Sequence, residues 1–271
     1  MRTTCVILAR AGSKGVPGKN VAPVAGRPCL AWTIEHALAT RGIDEVVLTT
    51  DDPRAAAIAR AQGVRVIDRP AELAHDRASV DDAVRHAMLG VAPDAADRDA
   101  CVVLYANVPV RPADLTERAL RLLASSGADS VQSYAPVGKH HPWWTVRIGE
   151  GSGTLAPWEG DVLYHSVYRR QELPPAYVPD GGVVVVSVQA LLRKIPGVAP
   201  GPHAFLGSDR RAVVSPEGSV VDIDTRVDLL VADAILRGAL AETGPARFAR
   251  GDQDVGVPHT EPGWTCGRRA S

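Results

Sequence analysis

Aromatic side chains are scarce in this sequence: there are two phenylalanines among 271 residues, and aromatics make up only 4%. A hydrophobic fraction of 45%, rich in Ala and Val, must therefore build the core, and it is enough for one large α/β domain or two small ones. An excess of charge is missing too. With 30 basic and 31 acidic side chains the net charge is −1, which leaves no footprint for broad binding to nucleic acid or a membrane surface, so any phosphate affinity has to be local. No stretch approaches the roughly 18 apolar residues of a membrane span. The apolar start of the chain stops at Arg10 without the cleavage site of a signal peptide and reads as a first strand. Cys5, Cys29, Cys101 and Cys266 form no CxxC pair, and three of them sit in apolar or helix-like surroundings, as buried thiols of a reducing cytoplasm would. There is no internal repeat.

What is present is alternation. Residues 3–9 are β-branched and apolar. Gly12, Gly15, Pro17 and Gly18 then interrupt, and after Pro28 a helical period sets Leu30, Ile34, Ala37 and Leu38 on one face. Strands are predicted at residues 45–50, 64–67, 100–105, 130–134 and 182–188, with an edge at Val213 and Val214. Helices are predicted over 53–62, ended by Gly63, from the Ser79/Asp82 cap through Met88, and from Thr225 to about Leu240. Such a chain folds as α/β, with a mostly parallel sheet between two helical layers, and ligands bind beyond the carboxyl ends of the strands. Residues 136–179, rich in Pro, Gly, Trp and Tyr, break the pattern and read as an inserted subdomain within a domain of residues 1–240. Residues 247–271 lack periodicity and read as a loose tail.

Two segments carry chemistry. LARAGSKGVPGKN, from Leu8 to Asn20, joins the first strand to the first helix. Its glycines let backbone N–H groups approach a ligand, while Arg10, Lys14 and Lys19 supply cations, so a polyphosphate is its natural guest. It is no Walker A loop, being one residue too long and ending in Asn20, and its GxxGxxG spacing is no dinucleotide fingerprint. The second segment is VDIDT, residues 221–225. In a strand, Asp222 and Asp224 would share one face and make a hard oxygen site for Mg²⁺; in a loop, Asp224 or Thr225 would merely cap the following helix. The pair HHPWW at residues 140–144 has no third ligand at metal spacing and reads as a packed or exposed turn, with Trp143, Trp144 and Trp158 filling the insertion or a subunit contact.

At these residues the chain resembles the acylneuraminate (CMP-sialate, nonulosonate) cytidylyltransferases. The first loop is similar to the family's A-R-x-x-S-K-G followed by K-N. TTDDP at 49–53, DRPAELAHD at 68–76, YRRQELP at 168–174 and VDIDT followed by Asp228 and Leu229 match further family blocks in the expected order. The resemblance implies a three-layer α/β/α Rossmann-like nucleotidyltransferase fold with an inserted dimerisation subdomain. It implies transfer of CMP from CTP to the anomeric hydroxyl of an acidic sugar, with release of pyrophosphate. Leu8, Ala9, Arg10, Gly12, Ser13, Lys14, Asn20 and Arg69 would hold the nucleotide, Lys19 the phosphate tail, and Asp222 and Asp224 the Mg²⁺. Tyr105, Arg170, Gln171, Asp180 and Gly181 would meet the sugar, Arg170 and Gln171 from the partner of a homodimer, and Tyr177 either lines the pocket or packs.

The likeness thins at LYANVPVR, residues 104–111, where the family has L-Q-P-T-S-P-L-R: Tyr105 replaces a Gln that contacts the sugar, which argues for a different or smaller acceptor. Asp180, in a family P-N-G block, would set a carboxylate against an anionic sugar. Other readings stay open: a 3-deoxy-sugar-acid or sugar-1-phosphate nucleotidyltransferase, a nucleotide-binding protein without turnover, and a metal-dependent glycosyltransferase.

Overall fold

The computed structural model describes residues 1–243, so the expected tail at 247–271, with Cys266, lies outside the described residues. β1 (Thr3–Ala9) leads through the glycine-rich turn and a small hairpin, β2 (Pro23–Val24) and β3 (Arg27–Pro28), into α1 (Cys29–Ala39). The alternation continues through β4 (Glu45–Thr50), α2 (Pro53–Ala61), β5 (Arg65–Asp68), α3 (Val80–Val91) and β6 (Ala100–Tyr105). Local chemistry fixes the helix starts: Asp52 accepts the Arg54 N–H with Pro53 in the first helical position of α2, and Ser79 accepts the Asp82 N–H at the start of α3. Next come α4 (Leu115–Ser126), β7 (Ser130–Pro136), the hairpin β8 (Val146–Ile148) and β9 (Leu155–Pro157), β10 (Tyr177–Ser187), α5 (Val188–Leu191), β11 (Arg210–Val214) and α6 (Arg226–Thr243).

The seven-stranded sheet runs in the order β11-β7-β10-β6-β1-β4-β5. Every pairing is parallel except those of β10, which lies antiparallel between β6 and β7. β1 is buried at all of its positions because both its edges and both its faces are covered. Side-chain alternation sends Cys5, Ile7 and Ala9 to one face, against Leu30, Ile34, Leu115 and Leu120 of α1 and α4. Val6 and Leu8 go to the other, against Val84 and Met88 of α3 and Leu191 of α5. Truncating a core leucine such as Leu30 or Leu104 would cost about 2–5 kcal/mol. A third cluster, with Val24, Cys29, Trp32, Ile223 and Leu236, fastens α6 beside the glycine-rich turn.

Three expectations change. α4 is a helix that the sequence reading passed over; Leu115, Ala119, Leu120 and Leu123 give it a buried stripe. Leu38 is 55% exposed while Leu30, Ile34 and Ala37 are fully buried, because one residue beyond Ala37 rotates by about 100° onto the helix flank. The strand expected at 182–188 starts earlier, at Tyr177, and its first residues pair with Tyr134, Ala135 and Pro136, so this ribbon carries the 137–176 excursion away from the sheet. Within that excursion Trp143 stacks on His165 with ring centroids 4.5 Å apart, Trp144 Nε1 donates to the Val167 carbonyl at 2.9 Å, and Trp158 stays 56% exposed. His141 is buried and bonded to Trp143 and Pro174, as the packed-turn reading expects.

Candidate active site

The turn after β1 and the segment before α6 meet. Gly15 lies so near Asp224 that a Cβ on it would stand 2.2 Å from the Asp224 carbonyl oxygen, and Lys19 Nζ donates to Asp224 Oδ1 at 2.7 Å. Around this junction a cavity of about 480 Å³ opens at the carboxyl ends of β1, β5 and β6, lined by Arg10, Ser13, Lys14, Gly15 and Lys19 of the turn, by Arg69, Tyr105 and Asn107, and by Asp222 and Asp224. The turn is held from outside: Asp51 accepts the Ala11 N–H at 2.8 Å, and Asn20 Nδ2 donates to the Arg10 carbonyl at 2.9 Å. Arg10 and Lys14 both end on Asp76, at 2.6 Å each, and these two cations hold its carboxyl down at about 2.

Asp222 and Asp224 are not in a strand, contrary to one of the two expectations. Val221 makes a single antiparallel bridge to Val110, and the Ile223 N–H donates to the Asn107 carbonyl at 2.9 Å. Ile223 is fully buried, so the aspartates on either side of it still turn together toward the cavity. Capping also occurs. Asp228 accepts from the backbone of Asp224 and Thr225, and Thr225 Oγ1 accepts from the Asp228 N–H, which fixes the start of α6. Burial first, then the like charge of Asp224, pushes the Asp222 carboxyl up to about 6, with Lys19 opposing. Arg69, 8% exposed, donates to Thr49 Oγ1 and to the Thr49 carbonyl; burial brings its guanidinium down to about 10, so it stays charged. Burial and the nearby Asp222 raise the Tyr105 phenol.

Of the residues expected at the site, Leu8, Arg10, Ser13, Lys14, Lys19, Asn20, Arg69, Tyr105, Asp222 and Asp224 border the cavity. Ala9 is buried beneath it and accepts the Thr50 hydroxyl, and Gly12 stands beside Arg10 without lining it. Gly181 abuts the carboxylate pair: at φ +75°, its Cβ position would be 3.2 Å from Asp222 Oδ2, a place only glycine fits without strain. Asp180 does not line the cavity. The hydroxyls of Ser133 and Ser215 and the Gly182 N–H donate to its oxygens. Arg170 pairs with Glu217, and Arg170, Gln171 and Tyr177 are exposed outside the cavity. Two residues escaped the sequence reading: Asp76, quoted only as the end of a motif, and Asn107, which lies in the block where the likeness thins and would have been found by asking what the substituted residues face.

The cytidylyltransferase family model matches residues 4–141. The N-acylneuraminate cytidylyltransferase of Streptococcus agalactiae serotype V is 28% identical over 232 residues, 85% of this chain and 52% of that one. The chain thus spans about half the length of that relative. The pseudaminic acid cytidylyltransferase of Campylobacter jejuni serotype O:2 is 33% identical over 84% of this chain and 94% of its own. Among solved structures, a CMP:2-keto-3-deoxy-manno-octonic acid synthetase complexed with CTP superposes with a TM-score of 0.65 at 20% identity, covering 89% of this chain and all of that one, which shows the shared α/β fold. Because the match over residues 4–141 takes in the turn, Arg69, Tyr105 and Asn107, one whole side of the cavity is itself family sequence, and the chain belongs to the cytidylyltransferase family.

Proposed function

We propose that this chain transfers CMP from CTP to the anomeric hydroxyl of a nonulosonic acid, an acidic sugar of the sialic type, and releases pyrophosphate. The observation that carries this reading is the junction of a cationic glycine turn with a carboxylate pair across one cavity, Lys19 on Asp224 at 2.7 Å. In-line attack on the α-phosphate builds negative charge on its equatorial oxygens and on the departing pyrophosphate, and stabilising that charge is most of the catalytic task. Arg10 and Lys14 exchange Asp76 for the β- and γ-phosphates, and Arg69 adds a fixed charge from the cavity lining. Asn20 keeps the turn in shape through the Arg10 carbonyl.

Asp222 and Asp224 fit a divalent cation, Mg²⁺ by the chemistry of their oxygens. Burial first and the like charge of Asp224 second raise Asp222 to about 6, and Lys19 Nζ already stands against Asp224, so a cation is favoured beside this pair. Mg²⁺ is commonly held by one or two carboxylates together with phosphate oxygens and water, which matches a pair of aspartates bordering a cavity. When bound, the ion lowers the pKa of a hydroxyl beside it and offsets phosphate charge. Tyr105, in the cavity lining, limits the acceptor's size. Arg170 and Gln171 act on a neighbouring subunit's acceptor, in a homodimer joined through residues 136–179; the exposure of Tyr168, Ile148 and Trp158 supports that contact. Among the described residues no helix is long and apolar enough to cross a membrane, and Cys5, Cys29 and Cys101 are buried free thiols, which suits a cytoplasmic enzyme.

The test is a panel of purified protein, Mg²⁺ and each of CTP, UTP, GTP and ATP against nonulosonic acids, 3-deoxy-sugar acids and sugar 1-phosphates, with products weighed by mass spectrometry. A CMP-nonulosonate is the expected product; exclusive use of another base or of a sugar 1-phosphate would overturn the reading.

A further inference from the structure

Asn107 stands two residues beyond β6, is 9% exposed, and borders the cavity beside Asp222. Its Nδ2 donates to Asp222 Oδ1 and, at 3.3 Å, to the carbonyl of Ile223, while its own carbonyl accepts the Ile223 N–H at 2.9 Å. One side chain and one peptide thus join the end of a central strand to the carboxylate segment 115 residues later. The other carboxylate oxygen, Oδ2, lies against Gly181. Asp222 is therefore confined on both sides. The nature of the clamp matters as well: an amide holds a carboxylate by a hydrogen bond without cancelling its charge, whereas the ammonium of Lys19 on Asp224 does cancel it. An apolar residue at position 107 would leave Asp222 free to rotate.

Resting on the transfer reading above, we propose that Asn107 is a positioning residue: its amide fixes Asp222 in the orientation in which that carboxylate receives the divalent cation. Partners that orient a metal ligand without touching the metal change affinity by about 10–100-fold when removed. Arg10, Lys14 and Arg69 do not depend on Asn107 for their placement, so nucleotide affinity is spared.

Mn²⁺ serves as the probe, with binding followed by the electron paramagnetic resonance of the free ion and thermal midpoints recorded alongside. In Asn107→Ala and Asn107→Leu, Mn²⁺ binds about tenfold or more weakly and kcat falls by about the same factor, while KM for CTP stays within about threefold. Asn107→Thr, whose hydroxyl can still donate to Asp222, restores Mn²⁺ affinity to within about threefold of the parent. A folded Ala or Leu variant with unchanged Mn²⁺ affinity overturns the proposal. Should both fail to fold, the Thr variant decides: parent-like affinity upholds the clamp, and about tenfold weaker binding overturns it. A parent protein that binds Mn²⁺ in an Asn107-dependent way yet releases no pyrophosphate with any acceptor leaves the clamp standing and sinks the transfer reading.

Discussion

Gly15 has no room for a side chain. A methyl group there would meet the Asp224 carbonyl oxygen at 2.2 Å, and since that atom is backbone, either the turn or the carboxylate segment has to move. Gly15→Ala is expected to lower kcat by about two orders of magnitude, the effect of a displacement near 1 Å at a reacting centre, as read by a pyrophosphate-release assay. Retention of more than about half of the activity would show that the two segments need no such contact. Asp76 argues the opposite case. It occupies Arg10 and Lys14 where the nucleotide tail should sit, through pairs open to solvent and therefore weak. Asp76→Asn should lower KM for CTP by about two- to fivefold at low salt, with the difference shrinking as salt is added. A raised KM would mean that Asp76 builds the site instead of screening it. The cationic residues were legible in the sequence because charge in a glycine turn is a local property. The partners they choose before nucleotide arrives were not, since Asp76 comes from a different loop.

At the scale of elements, α1 and α4 are coupled through His36, whose Nε2 lies 2.8 Å from Thr116 Oγ1. Burial, helped by the charge of Arg111, brings the His36 pKa from 6.5 down to about 3. In the unfolded chain the ring takes up a proton near pH 6.5, while in the folded chain it stays neutral until about pH 3. The unfolded state thus binds more protons across this window, so the contribution of His36 is full above pH 6.5 and is lost as pH falls. The upper limit is about 1.4 kcal/mol per pH unit, and less for a ring that is only partly enclosed. Urea midpoints of the parent should fall between pH 6.5 and 5 more steeply than those of His36→Gln, which still reaches Thr116; equal slopes would mean that the ring titrates normally. Strands and most helices were readable from apolar and β-branched pattern alone, because β6 is a continuous apolar run and β1 and β4 are apolar at their centres with threonines at their ends. α4 escapes a reading by apolar period because its buried stripe is broken by charge and lies next to the Pro109 and Pro112 region, and the Asp222 segment stays open between strand and loop because its alternation is real while its hydrogen bonds are supplied by Asn107 and Val110.

For the whole molecule, the excursion between β7 and β10 is the part least buried against the sheet. Tyr168 is 92% exposed, and Ile148 and Trp158 are bare on the same excursion. Light scattering at micromolar concentration should report a dimer, and Tyr168→Glu should shift it toward monomer with a lower kcat for the sugar acid while KM for CTP changes little, within about twofold. A parent that is monomeric and fully active would remove the second subunit from the mechanism.

The sequence by itself determined the alternating α/β plan, the cationic turn after the first strand and the two late aspartates, since each is written in neighbouring residues: period, glycine spacing, charge. Only the tertiary structure decided that Lys19 and Asp224, 205 residues apart, touch. The same structure turned Asp180 toward the hydroxyls of Ser133 and Ser215 and brought Asn107 to Asp222. The physical reason is that strand order and parallel sense bring the carboxyl ends of β1, β4 and β6 to one edge of the sheet, and no local pattern along the chain encodes which side chains then face each other across that edge.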